Sequence, residues 1–73
     1  MEIDKYRSGM NIRKALDKHK LKQKTLAKAL RGNEVMVSKW INGKTLPSTQ
    51  SLLKIAYLLN TSIDELMEGV LIP

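Results

Sequence analysis

Apolar residues recur along this chain at steps of three and four, the spacing of one face of a helix, and the pattern predicts five helices. Ile12, Ala15, Leu16 and His19 form one stripe, with Arg13, Lys14, Asp17 and Lys18 filling the opposite face. A first helix is therefore expected from about Gly9 to His19, with Ser8 as its cap. A second is expected over Gln23 to Leu30, where Leu26, Ala27 and Leu30 point inward and Leu21 seals the entry. The third should run from Glu34 to Ile41 with Val37, Trp40 and Ile41 inward. Asn33 before it has a side-chain oxygen suited to a free backbone N–H. Asn42-Gly43 ends that helix, because glycine readily takes the left-handed conformation of a helix stop. After the loop Lys44-Thr45-Leu46-Pro47, Ser48 caps a fourth helix to about Leu59, and Leu52, Ile55, Ala56 and Leu59 give it one apolar face. Ser62-Ile63-Asp64-Glu65 has capping-box spacing and opens a short fifth helix to Glu68. Nothing alternates with period two, so strands are not expected. The organisation predicted is a loose arm over residues 1–8, a helical domain over 9–69 and a tail over 70–73.

The second and third helices are separated only by Arg31-Gly32-Asn33. A turn this tight makes two helices cross steeply and holds one outward as a ridge, a form that fits the major groove of DNA. Charge points the same way. The formal net charge is +6 and is unevenly spread: residues 1–45 carry a net of +8, and residues 46–73 carry a net of −2. One pole is built for polyanions.

At 73 residues the chain is one domain. It has no Cys, which excludes disulfides and thiolate metal sites, and its single His cannot build a metal site without carboxylate help. The N-terminus MEIDKYRSG lacks a signal-peptide core, and no segment approaches the ~20 apolar residues of a membrane span, so a cytoplasmic protein is expected. No paired acid, base or nucleophile suggests an enzyme, and no cofactor is implied. Asp64, Glu65 and Glu68 suit the start of a solvated helix. His19 reads as a surface or helix-end residue. Trp40 could stack on a base, but its register beside Val37 favours the core.

LKQKTLAKAL, VSKWINGKTLPS and LLKIAYLLNTSIDEL together resemble the Cro/C1-type (XRE-like) helix-turn-helix family of phage repressors and small bacterial regulators, over roughly residues 9–69. The pieces that carry the resemblance are Gln23, Leu26-Ala27, Val37-Ser38-Lys39-Trp40, Asn42-Gly43, Pro47 and Leu52-x-x-Ile55-Ala56. It implies an all-α, compact five-helix lambda-repressor-like DNA-binding domain that works as a homodimer on a short pseudo-palindromic operator. This chain departs from the pattern in three places. Lys22 stands where the family has a capping Ser or Thr, so a cap of ~0.5–2 kcal/mol is missing. Arg31 stands where a Gly usually ends the second helix; it must take a positive φ at a cost of about 1 kcal/mol, or the turn is reshaped. Leu16 and Ile41 occupy the positions of a common Arg–Glu pair, which predicts an apolar contact there.

On the third helix Glu34, Val35, Met36, Ser38 and Lys39 face outward. Base contacts are expected from Lys39 to guanine O6 and N7, from Val35 to a thymine methyl, and from Glu34 to cytosine N4. Glu34 equally complements the positive start of its helix. Gln23 matches the family's phosphate-clamping glutamine, at a helix start where free N–H groups also face out. Lys22, Asn42, Lys44 and Thr45 lie where the family grips phosphates. Ser38 is filler or a phosphate contact, and Met36 supports the surface or touches a sugar. Two surfaces are candidates for a dimer: the tail Gly69–Pro73, which could instead dock on the fifth helix, and Leu53, Tyr57 and Leu58 on the fourth. The function expected is a sequence-specific regulator of transcription, a repressor because no activation or sensor domain is visible. The alternative is an antitoxin-type module whose main role is to bind a partner protein.

Overall fold

The computed structural model describes residues 1–73. Most of its helices begin and end for a local chemical reason. The elements in order are β1 (Glu2–Ile3), α1 (Lys5–Lys18), α2 (Gln23–Ala29), α3 (Glu34–Ile41), α4 (Thr49–Leu58), α5 (Ile63–Leu66) and β2 (Leu71–Ile72). Four helix starts are capped by a side chain that accepts the backbone N–H three residues on. Asp4 accepts from Arg7, Asn33 from Met36, Ser48 from Ser51 and Ser62 from Glu65. The exception is α2, whose N-cap residue Lys22 makes no capping hydrogen bond.

The first four helices share one way of stopping. The residue two past each helix takes a left-handed conformation: Lys20 (φ 54°), Arg31 (φ 56°), Gly43 (φ 73°) and Asn60 (φ 49°). The following N–H then reaches back to a carbonyl in the last turn: Leu21 to Leu16, Gly32 to Ala27, Lys44 to Lys39 and Thr61 to Ala56, each at 2.9 Å. These bonds satisfy carbonyls that a helix end leaves free. Arg31 thus keeps the left-handed position that suits glycine, and the turn between α2 and α3 is not reshaped.

The start of the chain differs from expectation. Helix α1 begins at Lys5, not Gly9, and Ser8 and Gly9 lie inside it, both buried. Ser8 is no cap; its side-chain oxygen is buried without a hydrogen-bond partner. The small residues are there because α3 crosses at this point. A Cβ on Gly9 would lie 2.3 Å from the carbonyl oxygen of Ile41 and 2.5 Å from that of Trp40. Glu2 and Ile3 are not a loose arm either. They pair antiparallel with Ile72 and Leu71, and the Asp4 N–H donates to the Val70 carbonyl at 2.7 Å. The expectation of no strands is corrected to this ribbon of two residues a side, too short to show a period in sequence. The tail docks on the N-terminus through the ribbon while Val70 is fully buried.

The core gathers the predicted inward faces. Ile12, Leu16, Leu26, Ala27, Val37, Trp40, Ile41, Ile55, Ala56, Leu59 and Leu66 form one buried cluster. Leu16 and Ile41 both belong to it, so apolar packing replaces the ion pair. Trp40 is a core residue and His19 is an exposed helix cap. The Cα radius of gyration, 11.1 Å, is close to the roughly 11 Å expected for a compact chain of this length.

Candidate nucleic-acid interface

Helix α3 packs on both α1 and α2 through Val37, Trp40 and Ile41, which leaves its other face to solvent. On that face Glu34, Val35 and Lys39 are exposed, Val35 to 64%. Val35 and Lys39 are four positions apart and so lie one above the other along the helix. Most of the Val35 surface is therefore left uncovered by the fold, beside a lysine, and is free to meet a partner.

The crossing of α2 and α3 brings distant residues into one shallow basin of about 420 Å³. It is lined by Gln23, Glu34, Val35, Ser38, Lys39, Asn42 and Lys44. Six of the eight residues singled out in sequence line it. Lys22 and Thr45 do not, although both adjoin lining residues, Gln23 and Lys44, in the chain. Gln23 is the first residue of α2 and is half-buried, so its position is fixed by the helix start.

Ser38 has a role that the sequence leaves open. The Asn42 side-chain amide donates to the Ser38 Oγ at 3.1 Å. This bond orients Asn42 across one helical turn, leaving its amide oxygen and its second N–H for a ligand. The signal is present as a Ser–Asn pair at a spacing that shares a helix face. Met36 is half-buried against the core, and its terminal methyl lies over Gly32, so it supports the turn between the helices.

The end of α3 sets the far rim. Gly43 turns the chain, so that Lys44 and Thr45 follow the helix as a strip; the N–H groups of both point back to the Lys39 carbonyl, at 2.9 and 3.4 Å. The basin therefore carries cations at Lys39 and Lys44, with Lys22 beside it, and a single acid, Glu34, at the start of α3. A polar, basic, shallow concavity crossed by a helix ridge suits a long polyanion better than a small molecule. No helix is long and apolar enough to cross a membrane.

A helix-turn-helix family model matches residues 12–66. No curated protein matches the chain. Among solved structures, the P22 c2 repressor in complex with synthetic operator 9T is 32% identical, with a TM-score of 0.78, over 85% of this chain and 94% of that one. The restriction-modification controller protein C.AhdI from Aeromonas hydrophila is 27% identical, with a TM-score of 0.79, over 86% of this chain and 91% of that one. Hydroxypropylphosphonic acid epoxidase from S. wedmorenis also contains the fold: it is 23% identical, with a TM-score of 0.81, over 100% of this chain but 43% of that one. At that identity the likeness is one of fold alone. The family match spans most of the chain, and the repressor likeness extends across nearly the whole of both molecules; the chain belongs to the Cro/C1-type (XRE) family of helix-turn-helix proteins.

Proposed function

We propose that this protein is a DNA-binding transcriptional repressor that reads a short operator through the major groove with α3. The observation that carries the reading is the joint exposure of Val35 and Lys39 on a helix rigidly packed from behind, within one basic basin. The P22 c2 repressor, similar over 85% of this chain, has been crystallised with an operator, which supports the same use of the same fold here. Lys39 reads guanine, Val35 a thymine methyl, and Glu34 rejects bases that offer it no amino group. Lys22, Gln23, Asn42, Lys44 and Thr45 hold the phosphates on either side.

The working unit we propose is a homodimer. About five specific contacts discriminate weakly, and two copies on a two-fold site double them with reading helices about 34 Å apart. One molecule is 34 Å in its longest dimension, so two in contact can straddle a helical turn. Leu53, Tyr57 and Leu58 with Ala29 and one cation, Lys54, line a mostly apolar groove of about 290 Å³ on the side of α4, and Tyr57 is 86% exposed. That groove is our first choice of dimer surface; the exposed ribbon residues Leu71 and Ile72 are the second. The same bare groove also favours the antitoxin-type reading, in which a partner protein covers it; a partner that co-purifies in fixed ratio would support that alternative.

Selection of random duplexes by the purified protein tests the proposal. A palindromic motif with half-sites one helical turn apart is expected. Recovery of no motif from repeated rounds would refute sequence-specific repression.

A further inference from the structure

The proposed interface stops at Thr45, but one exposed side chain from the other end of the chain leans on its rim. Gly43 sits between Asn42 and Lys44 at φ 73°, and a Cβ there would lie 2.6 Å from Tyr6 Cδ1 and 2.9 Å from Tyr6 Cγ. The ring of Tyr6 therefore lies against the glycine backbone. Nevertheless Tyr6 is 71% exposed. One side is held by Gly43 and the rest of the ring is bare, immediately beside the strip proposed to grip phosphate.

We infer that Tyr6 is a further DNA contact: its phenol hydroxyl donates to a phosphate oxygen next to the one engaged by Lys44. The inference rests on the reading of the basin as a duplex site. Three features favour a phosphate as acceptor. One side of the ring already rests on Gly43 before binding, which reduces the side-chain entropy left to be lost. Its surroundings are positive: Lys5 precedes it, Lys44 follows Gly43, and the first helical turn of α1 holds no acid. The carboxylate nearest in sequence, on Asp4, is turned to the helix start, where it accepts the Arg7 N–H at 3.0 Å. Tyrosine is among the side chains that position proteins on the DNA backbone, and such an interaction carries no base preference.

This hydrogen bond has a signature that separates it from a lysine. A phenol releases no counterion, so removing it weakens binding without altering the salt slope, whereas removing a lysine from a phosphate lowers that slope by about 1. The test compares the unaltered protein, Tyr6→Phe and Lys44→Ala on a selected duplex and on an unrelated one, across salt concentrations. Tyr6→Phe keeps the ring on Gly43 and should leave the thermal midpoint unchanged. It is expected to weaken both duplexes about tenfold for each phenol–phosphate bond lost, the size of a hydrogen bond to a charged group, with an unchanged slope. In a scan of single methylphosphonate positions, one position should abolish the difference between Tyr6→Phe and the unaltered protein. Equal binding by Tyr6→Phe, or a weakening confined to one base change, overturns the Tyr6 assignment alone. Failure of the unaltered protein to bind any duplex overturns the DNA reading as well.

Discussion

Gly9 of α1 and Ile41 of α3 approach so closely that no side chain fits between them. A Cβ at position 9 would stand 2.3 Å from the Ile41 carbonyl oxygen and 2.8 Å from its carbonyl carbon. Backbone atoms cannot swing aside as a flexible side chain can. This approach sets how far α3 stands from the helix behind it, and so how the face proposed to read DNA is presented.

Gly9→Ala should therefore be destabilising although alanine is the better helix former. The propensity gain of about 1 kcal/mol is local. Against it stands overpacking of a filled site, which costs about 1–3 kcal/mol even where side chains can adjust, and here the obstacle is backbone. A lowered midpoint in denaturant is expected, together with weaker duplex binding at temperatures where the variant is still folded. A midpoint at or above that of the unaltered protein would mean that α1 and α3 separate easily.

Arg31 presents the opposite case. Its φ of 56° closes α2 with the bonds from the Gly32 N–H to Ala27 and from its own N–H to Lys28, at 2.9 and 3.1 Å. Those are backbone bonds and survive substitution. Arg31→Gly should stabilise the fold by up to about 1 kcal/mol, because glycine carries no left-handed penalty, less the flexibility it adds to the unfolded chain. Equilibrium denaturation measures it. The variant also lacks a cation at the turn, so a modest fall in duplex affinity should accompany the gain in stability.

Lys22→Ser should move stability and binding in opposite directions. Lys22 has extended N-cap geometry (φ −93°, ψ 155°) but no side chain that can accept a hydrogen bond. A serine hydroxyl there supplies the missing acceptor, worth ~0.5–2 kcal/mol. The substitution removes a proposed phosphate partner from each protomer. Binding should weaken alike on all duplexes, and its salt slope should fall by about 1 for each lysine removed from a phosphate. Higher stability with unchanged binding would remove Lys22 from the interface.

What the sequence makes legible depends on how local its cause is. Asn33, Ser48 and Ser62 announce helix starts because the oxygen and the N–H it accepts are three residues apart. Leu16 and Ile41 announce an apolar contact because each lies on the inward stripe of its own helix. Gly9 has the look of a helix boundary because its true reason lies in Ile41, far along the chain and invisible to helix propensity. Asp4 does not stand out as a cap, since its helix depends on a start held down by the ribbon to Leu71 and Ile72. Periodicity identifies Val35 and Lys39 as outward, but which other residues join them depends on the crossing of α2 and α3. The packing of Tyr6 on Gly43 has no local sign at all: an early tyrosine and a helix-ending glycine carry no mark of each other in sequence.

Lys39 and Lys44 carry the same charge on the same basin, yet their places in the fold predict different variants. Lys39 is on the exposed face of α3, one turn beyond Val35, where a side chain inserted in the groove reaches base edges. Lys44 lies past the helix end, on the strip that follows Gly43, where the proposed docking brings only the DNA backbone near. Lys39→Ala should lose about 1–3 kcal/mol on the preferred operator and little on duplexes altered at the base it reads, so preference at that position relaxes. Lys44→Ala should weaken every duplex by a similar factor and reduce the salt slope. With Lys22, Lys39 and Lys44 engaged in both protomers, affinity of the unaltered protein should fall on the order of 10³-fold or more between about 50 and 200 mM salt. Titrations of both variants against a panel of single-base operator changes separate the two roles. If the two profiles coincide across the panel, α3 does not lie in the groove with Lys39 toward the bases, and the proposed docking is wrong.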